Sequence, residues 1–303
     1  MYRASGAPPW VSAAARTDVG VCRVHNEDAF LISDLTRGLS HGPDAPRITC
    51  DAPHALAFGV YDGCGGRSSG ETASRLAALV IHVWLSRPAP TTAPELERRL
   101  VDAVEAAGHA VFEDARQNPM RRGSGTTATV AALCDDRLLV AQVGDSRGYL
   151  LRGGRLVQIT RDQTLVEALL DAGKLRPEEA ATFEHANVML QALGTNERVQ
   201  VGLTAVTLCR GDTLLLCTDG LWREVDGGAI AAALRAHGDA DTACAALIDA
   251  ASRAGGHDNA TVVVATFAGD AFPPPPLDGR VDVVELARMR VDPGTGNPPE
   301  APP

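Results

Sequence analysis

Between Thr126 and Ile159 four short apolar runs follow one another: Thr126–Leu133, Leu138–Val143, Gly148–Leu151 and Leu156–Ile159. The gaps hold Asp135–Asp136 and Gly153–Gly154, and the glycine pair tolerates the positive φ that tight hairpins demand. A chain that turns back this quickly pairs its strands antiparallel. The same turn-bounded pattern predicts strands at Val11–Arg16, Ala29–Ile32, Ala55–Tyr61, Val201–Thr207, Thr213–Cys217 and Thr261–Phe267. Helical periodicity marks Ser69–Ser86, Pro94–Gln117, Leu165–Ala172, Pro177–Phe183, Gly228–Ala236 and Thr242–Ala254. Ser68 stands three residues ahead of Glu71, a capping-box spacing, and Pro94 suits a first helical turn. The helices lie in clusters between runs of strands. The predicted class is therefore α+β, with sheets packed together and covered by helices in place of regular βαβ alternation.

Composition narrows what such a fold can serve. At 303 residues and 45% apolar the chain can bury a real core. A net charge of −10 argues against a surface that grips a phosphate backbone, so no nucleic-acid partner is expected. No apolar run approaches the roughly 18 residues of a membrane span, and Met1 to Thr17 lacks a secretion-signal pattern. Seven cysteines, odd in number and without a C-x-x-C pair, read as reduced thiols, and the expected location is the cytoplasm. From Asp270 on, the last 34 residues hold nine of the 19 prolines. The segment 269–303 is expected to be a largely disordered tail, with 281–291 dense enough in apolar and charged residues for a short helix or docking peptide. A Gly-, Pro- and Asp-rich stretch, Ser33 to Pro53, reads as a long loop.

The chemistry is concentrated in aspartates at strand ends. Asp62 closes the run from Leu56, Asp145 follows Leu138–Gly144, Asp219 follows Leu214–Thr218, and Asp258 precedes Thr261–Phe267. One Asp-Gly after a strand is an ordinary turn. Four carboxylates at one sheet edge would repel one another unless cations neutralise them, and hard oxygen donors suit Mg²⁺ or Mn²⁺. In Arg23-Val-His-Asn-Glu-Asp28 an arginine lies five residues before a further aspartate, where its planar fork could grip a phosphate.

Seven segments in order carry a resemblance: Thr17–Ala29, Val60–Gly66, Gly123–Thr127, Val143–Arg147, Thr160–Asp162, Cys217–Leu221 and Gly255–Val263. Together they resemble the PPM-type metal-dependent protein phosphatases, the type 2C serine/threonine phosphatases, and their compact bacterial members especially. The resemblance covers about residues 13 to 267. It implies a sandwich of two antiparallel sheets flanked by helices, a phosphatase domain over 10–268, and a flap at about 164–198. It also implies a metal-dependent serine/threonine phosphatase in which water activated between two divalent ions, Mg²⁺ or Mn²⁺, attacks phosphorus.

By the same resemblance Asp62 would bridge the two ions, with the Gly63 carbonyl on one and Asp219 and Asp258 on the other. Asp28 and Glu27 would act through water, Arg23 would hold the phosphate, and Asn259 would support Asp258. Asp145 with Asp219 would form a weaker third metal site. Phosphoproteins made by a serine/threonine kinase, and the kinase itself, are the implied partners.

Two positions depart from the family pattern. Cys64 stands where relatives carry methionine or histidine, and Gln163 where histidine is common. They are the support for an alternative, a catalytically weak, phosphatase-like regulatory binding module. A second rival is local: Cys217-Thr-Asp-Gly-Leu-Trp-Arg223 has the C-x₅-R spacing of cysteine-dependent phosphatases. There Asp219 would put a negative charge inside the phosphate cradle. His25 and His257 read as loop polar groups, because hard-metal sites prefer oxygen.

Overall fold

The computed structural model describes residues 10–42, 46–50, 55–65, 69–180, 183, 185 and 188–289. Its strands are β1 Trp10–Asp18, β2 Ala29–Asp34, β3 Leu39–His41, β4 Arg47–Cys50, β5 Leu56–Tyr61, β6 Gly63–Cys64, β7 Gly125–Thr126, β8 Ala128–Cys134, β9 Arg137–Val143, β10 Arg147–Arg152, β11 Arg155–Gln158, β12 Gly202–Thr207, β13 Thr213–Cys217, β14 Ala260–Ala268 and β15 Val284–Ala287. The helices are α1 Ser69–Ser86, α2 Ala93–Gln117, α3 Leu165–Asp171, α4 Pro177–Ala180, α5 Asp219–Trp222, α6 Gly227–Ala236 and α7 Ala240–Ala254.

Among the described residues the strands make two large antiparallel sheets. One runs β11-β10-β13-β14-β1-β4 and the other β15-β12-β9-β8-β5-β2-β3, with β6 and β7 as a small separate pair. The sheets pack face to face, α1 and α2 cover one outer face, and α6 and α7 cover the other. Side-chain alternation explains the layers. On β14, Val263, Ala265 and Phe267 face the opposite sheet, while Val262 and Val264 face α6 and α7. On β5, Leu56, Phe58 and Val60 point between the sheets, and Ala57 and Tyr61 point under α1. Strands buried on both faces read as continuous apolar runs, which is why these were plain in the sequence. Side chains cap several of the helices. Thr92 accepts from Glu95 N at the start of α2, and Asp226 accepts from Gly228 N and Ala229 N at the start of α6.

Three segments differ from the sequence reading. The expected loop Ser33–Pro53 holds β3 and β4, and β4 extends the first sheet by pairing Ile48 with Ala13, its Ile48 and Cys50 buried. Residues 281–289 form neither a helix nor a free peptide: β15 pairs with β12, and Arg288 salt-bridges Asp171 of α3. All four β15 side chains are exposed, so backbone pairing and not burial selects the strand. Of the predicted helix at Pro177–Phe183, Pro177–Ala180 is helical, and 181–182 lie outside the described residues. Ser68 of the capping box, Gly66, and residues 290–303 with Pro298–Pro299 lie outside the described residues. Among the described residues no helix is long and apolar enough to cross a membrane.

Candidate active site

Antiparallel pairing puts the C-terminal end of one strand beside the N-terminal end of the next. Ala29 opposes Tyr61, Arg147 opposes Cys217, and Cys217 opposes Val262. Asp28, Asp62, Asp145, Asp219 and Asp258 each lie within a few residues of one of these pairs, so they gather at one end of the sandwich. A cavity of about 510 Å³ opens there. Its wall carries Arg23, Glu27, Asp62, Gly63, Asp219 and Asp258, with Asp145 and Asn259 beside them. Asp28 alone of the expected residues does not line it. It is buried, accepting a hydrogen bond from the Thr218 hydroxyl at 2.8 Å.

The backbone around each strand end places the carboxylates, with Asp219 opening α5. Asp62 N–H donates to Thr127 Oγ1 at 2.9 Å, and Thr127 N–H returns a bond to the Asp62 carbonyl at 2.9 Å. Gly63 is required by crowding: a Cβ there would fall on the carbonyls of Gly70 and Glu27. Gly144 sits at φ +98°, a left-handed turn that glycine adopts without strain, and so delivers Asp145 to the cavity. Asn259 works as a clamp. Its Oδ1 accepts from Glu27 N at 2.8 Å, and its Nδ2 donates to the carbonyls of Val19 and His25, fixing the loop that bears Arg23 to the start of β14. Its backbone N–H also donates to Asp258 Oδ1 at 2.8 Å.

The crowding leaves an electrostatic mark. Burial, and then Asp28 and Asp219, hold the Asp62 carboxyl well above the usual carboxylate range. Burial pushes Asp28 to about 7 against the stabilising bonds from Thr261 and Thr218. Asp145 rises to about 6, from burial and then Asp219. Asp219 is raised by burial, although Arg223 pulls it down. Two arginines offset part of this charge. Arg23 Nη2 donates to Asp258 Oδ2 at 2.6 Å, and Arg223 reaches both Asp219 (2.9 Å) and Asp145 (3.0 Å).

This donor set fits hard divalent cations: carboxylate oxygens, no thiolate or imidazole among the expected ligands, and more negative charge than two guanidiniums balance. Among the described residues no three acidic, His or Cys side chains close on one point as a ready-made cage. Magnesium, which keeps much of its water and takes few protein oxygens, suits so open an arrangement.

Comparison with known proteins agrees. The profile described as Protein phosphatase 2C matches residues 22–168. The chain is 37% identical over 253 residues to the serine/threonine protein phosphatase PstP of Mycobacterium tuberculosis, covering 83% of this chain and 44% of that one. It is 33% identical over 253 residues to the serine/threonine phosphatase stp of Listeria innocua, covering 83% of this chain and 94% of that protein. A crystal structure of the PstP catalytic domain in complex with two manganese ions superposes with a TM-score of 0.70 at 34% identity, covering 86% of this chain and 99% of that one. The chain belongs to the protein phosphatase 2C family. It spans under half the length of the mycobacterial relative and nearly all of the listerial one.

Within this phosphatase 2C fold, the departures at Cys64 and Gln163 take on physical roles. Cys64 lines the cavity, but burial raises its thiol, which makes it a poor charge carrier there. Gln163 is buried and joins the segment bearing Gln191 to the strand end bearing Gly144. Its Oε1 accepts from Gly144 N (2.9 Å) and Gln191 Nε2 (2.7 Å), and its Nε2 donates to the Gln142 carbonyl (3.0 Å). Position 163 therefore positions structure and does not face the cavity, so it lends no weight to a binding module. The thiol rival fails on geometry as well. Cys217 is fully buried, its thiol is pushed far up by burial, and Arg223 points to two carboxylates.

Sequence reasoning missed Arg223 as a site residue and missed the contact between Val143–Arg147 and Thr160–Asp162. Arg147 Nε and Nη2 both donate to Asp162, at 2.7–3.1 Å, and the Arg147 guanidinium carbon lies 3.5 Å from the Trp222 ring centroid. The two segments clasp each other behind Asp145. His25 lines the cavity and His257 pairs with Glu224, outside the acidic cluster.

Proposed function

We propose that this chain is a Mg²⁺- or Mn²⁺-dependent phosphatase of phosphoserine and phosphothreonine in proteins, with the activity in the unit spanning 10–268. The observation that carries the reading is the meeting of Asp62, Asp219 and Asp258 on one cavity from strand ends up to about 200 residues apart. Asp62, Gly63, Asp219 and Asp258 would hold the ions. Bound there, the ions supply an acidified water at neutral pH and positive charge against the phosphoryl oxygens.

The chain's own residues do the rest. Arg23 is more than half exposed at the cavity and keeps its charge firmly, because Asp258 raises its pKa. Its fork is free to exchange a carboxylate for a phosphate of like geometry. Asn259 fixes the Arg23 loop against Asp258, which sets the distance between phosphate grip and metal ligands. Glu27 on the cavity wall and Asp28 buried behind it would act through water. Met189 lies on the cavity wall, and the flap to which it would belong, at about 164–198, would meet the protein part of a substrate. The substrates this assigns are products of a serine/threonine kinase, the kinase's own phosphorylated residues among them. Seven cysteines outside any disulfide, five of them buried, support a reducing compartment such as the cytoplasm.

The test is hydrolysis of a phosphothreonine peptide by wild type and Asp219→Ala, with Mn²⁺ and with EDTA. Wild type should lose activity in EDTA and regain it with Mn²⁺, and Asp219→Ala should fall by about 100-fold or more. Equal turnover by both proteins without metal would overturn the proposal.

A further inference from the structure

The geometry points to Arg223 as a resident cation that takes the place of a divalent ion between Asp145 and Asp219, leaving Asp145 to anchor the arginine and not a metal. The inference rests on the metal-dependent reading above. It departs from the expectation that Asp145 and Asp219 would share a third ion.

Arg223 lies one helical turn beyond Asp219, and its backbone N–H donates to the Asp219 carbonyl at 3.0 Å. From there Nε reaches Asp219 Oδ2 at 2.9 Å and Nη2 reaches Asp145 Oδ2 at 3.0 Å. One planar group thus bridges the two carboxylates that an ion at this position would need. Trp222 keeps it there. The indole N–H donates to the Asp145 carbonyl at 3.1 Å, and its ring centroid lies 4.9 Å from the Arg223 guanidinium carbon. Arg147, held by Asp162, packs on the same indole at 3.5 Å. The arginine is three-quarters buried and Asp145 almost wholly so, so the pair is shielded from competing salt.

An ion entering between Asp145 and Asp219 would have to expel a guanidinium that is already bonded to both. The ions would therefore be held by Asp62, Gly63, Asp219 and Asp258. Asp219 would be shared, with Oδ2 bonded to Arg223 Nε.

Mn²⁺ stoichiometry tests this independently of turnover. In equilibrium dialysis of the full chain, wild type should bind two ions, and Asp145→Asn should also bind two. Arg223→Gln should gain a third, weaker ion, and Arg223→Gln combined with Asp145→Asn should lose it again. Three ions in wild type with one lost in Asp145→Asn, or a folded Arg223→Gln that still binds two, would overturn the inference. If Arg223→Gln does not fold, the comparison of wild type with Asp145→Asn decides: an unchanged count supports the inference and a lost ion defeats it. No binding by wild type would instead remove the metal-dependent reading itself.

Discussion

The hydroxyl of Thr218 donates to Asp28 Oδ2 at 2.8 Å, tying the residue before Asp219 to the residue before β2. The same hydroxyl oxygen accepts from Thr261 N at 2.9 Å, so one threonine stitches together the ends of three strands that feed the site. That stitch buries a carboxyl among its own kind.

Stability of the metal-free protein should consequently fall as pH rises. Burial lifts Asp28 from its ordinary value to about 7 and Asp145 to about 6, and holds Asp62 and Asp219 above theirs. A group whose pKa is higher folded than unfolded binds more protons in the folded state. Its stabilising contribution is complete below the unfolded pKa and is lost as pH climbs through the folded one. The window therefore runs from about 4 to about 7. Thermal melts in EDTA should give a higher Tm at the acid end of that window than above it. Added Mn²⁺ should raise Tm most above pH 7, where the carboxylates are ionised and need a cation. A metal-free Tm that rises through this window would show that these groups are not protonated in the fold.

The part of the site legible in the sequence was the part written next to glycine at the ends of long apolar runs. Asp62 and Asp219 follow strands buried on both faces, Leu56–Tyr61 and Thr213–Cys217, whose pattern leaves little choice of structure. The illegible parts have no such pattern. β4 is four residues of alternating burial inside a turn-rich stretch, and β15 is an edge strand with no buried side chain to announce it. Arg223 was visible only as the end of a C-x₅-R spacing. What it does depends on Asp145, brought beside it by the pairing of β10 with β13, a contact across 78 residues that no local pattern encodes. Gln163 looked like a lost histidine because its partners Gly144, Gln142 and Gln191 lie on other segments.

Gln163→Ala should loosen the segment around Gln191 before it harms the chemistry. The substitution leaves the amide of Gly144 and the carbonyl of Gln142 without their side-chain partners in a buried setting, which costs about 2 kcal/mol. Residues 188–200 lose their bond through Gln191 to the same glutamine. Hydrogen exchange should quicken over that stretch, with KM for a phosphopeptide rising more than kcat falls. If kcat collapsed with exchange unchanged, Gln163 would have a direct part in the reaction.

Cys217→Ala separates metal chemistry from thiol chemistry at the one place where the sequence offered both. Cys217 closes β13 with no exposed surface, packed on the side that faces α6 and α7, and its thiol is raised by burial and by the nearby Asp162 and Asp219. A thiol so placed is kept protonated and has no path to a phosphate in the cavity. Removing its sulfur should cost roughly 1 kcal/mol in urea denaturation, from lost packing alone. Turnover of a phosphothreonine peptide at saturating Mn²⁺ should stay within about twofold of wild type. A drop of ~100-fold in a variant that still binds Mn²⁺ and melts like wild type would transfer the nucleophile to Cys217, and with it the role assigned to the carboxylates.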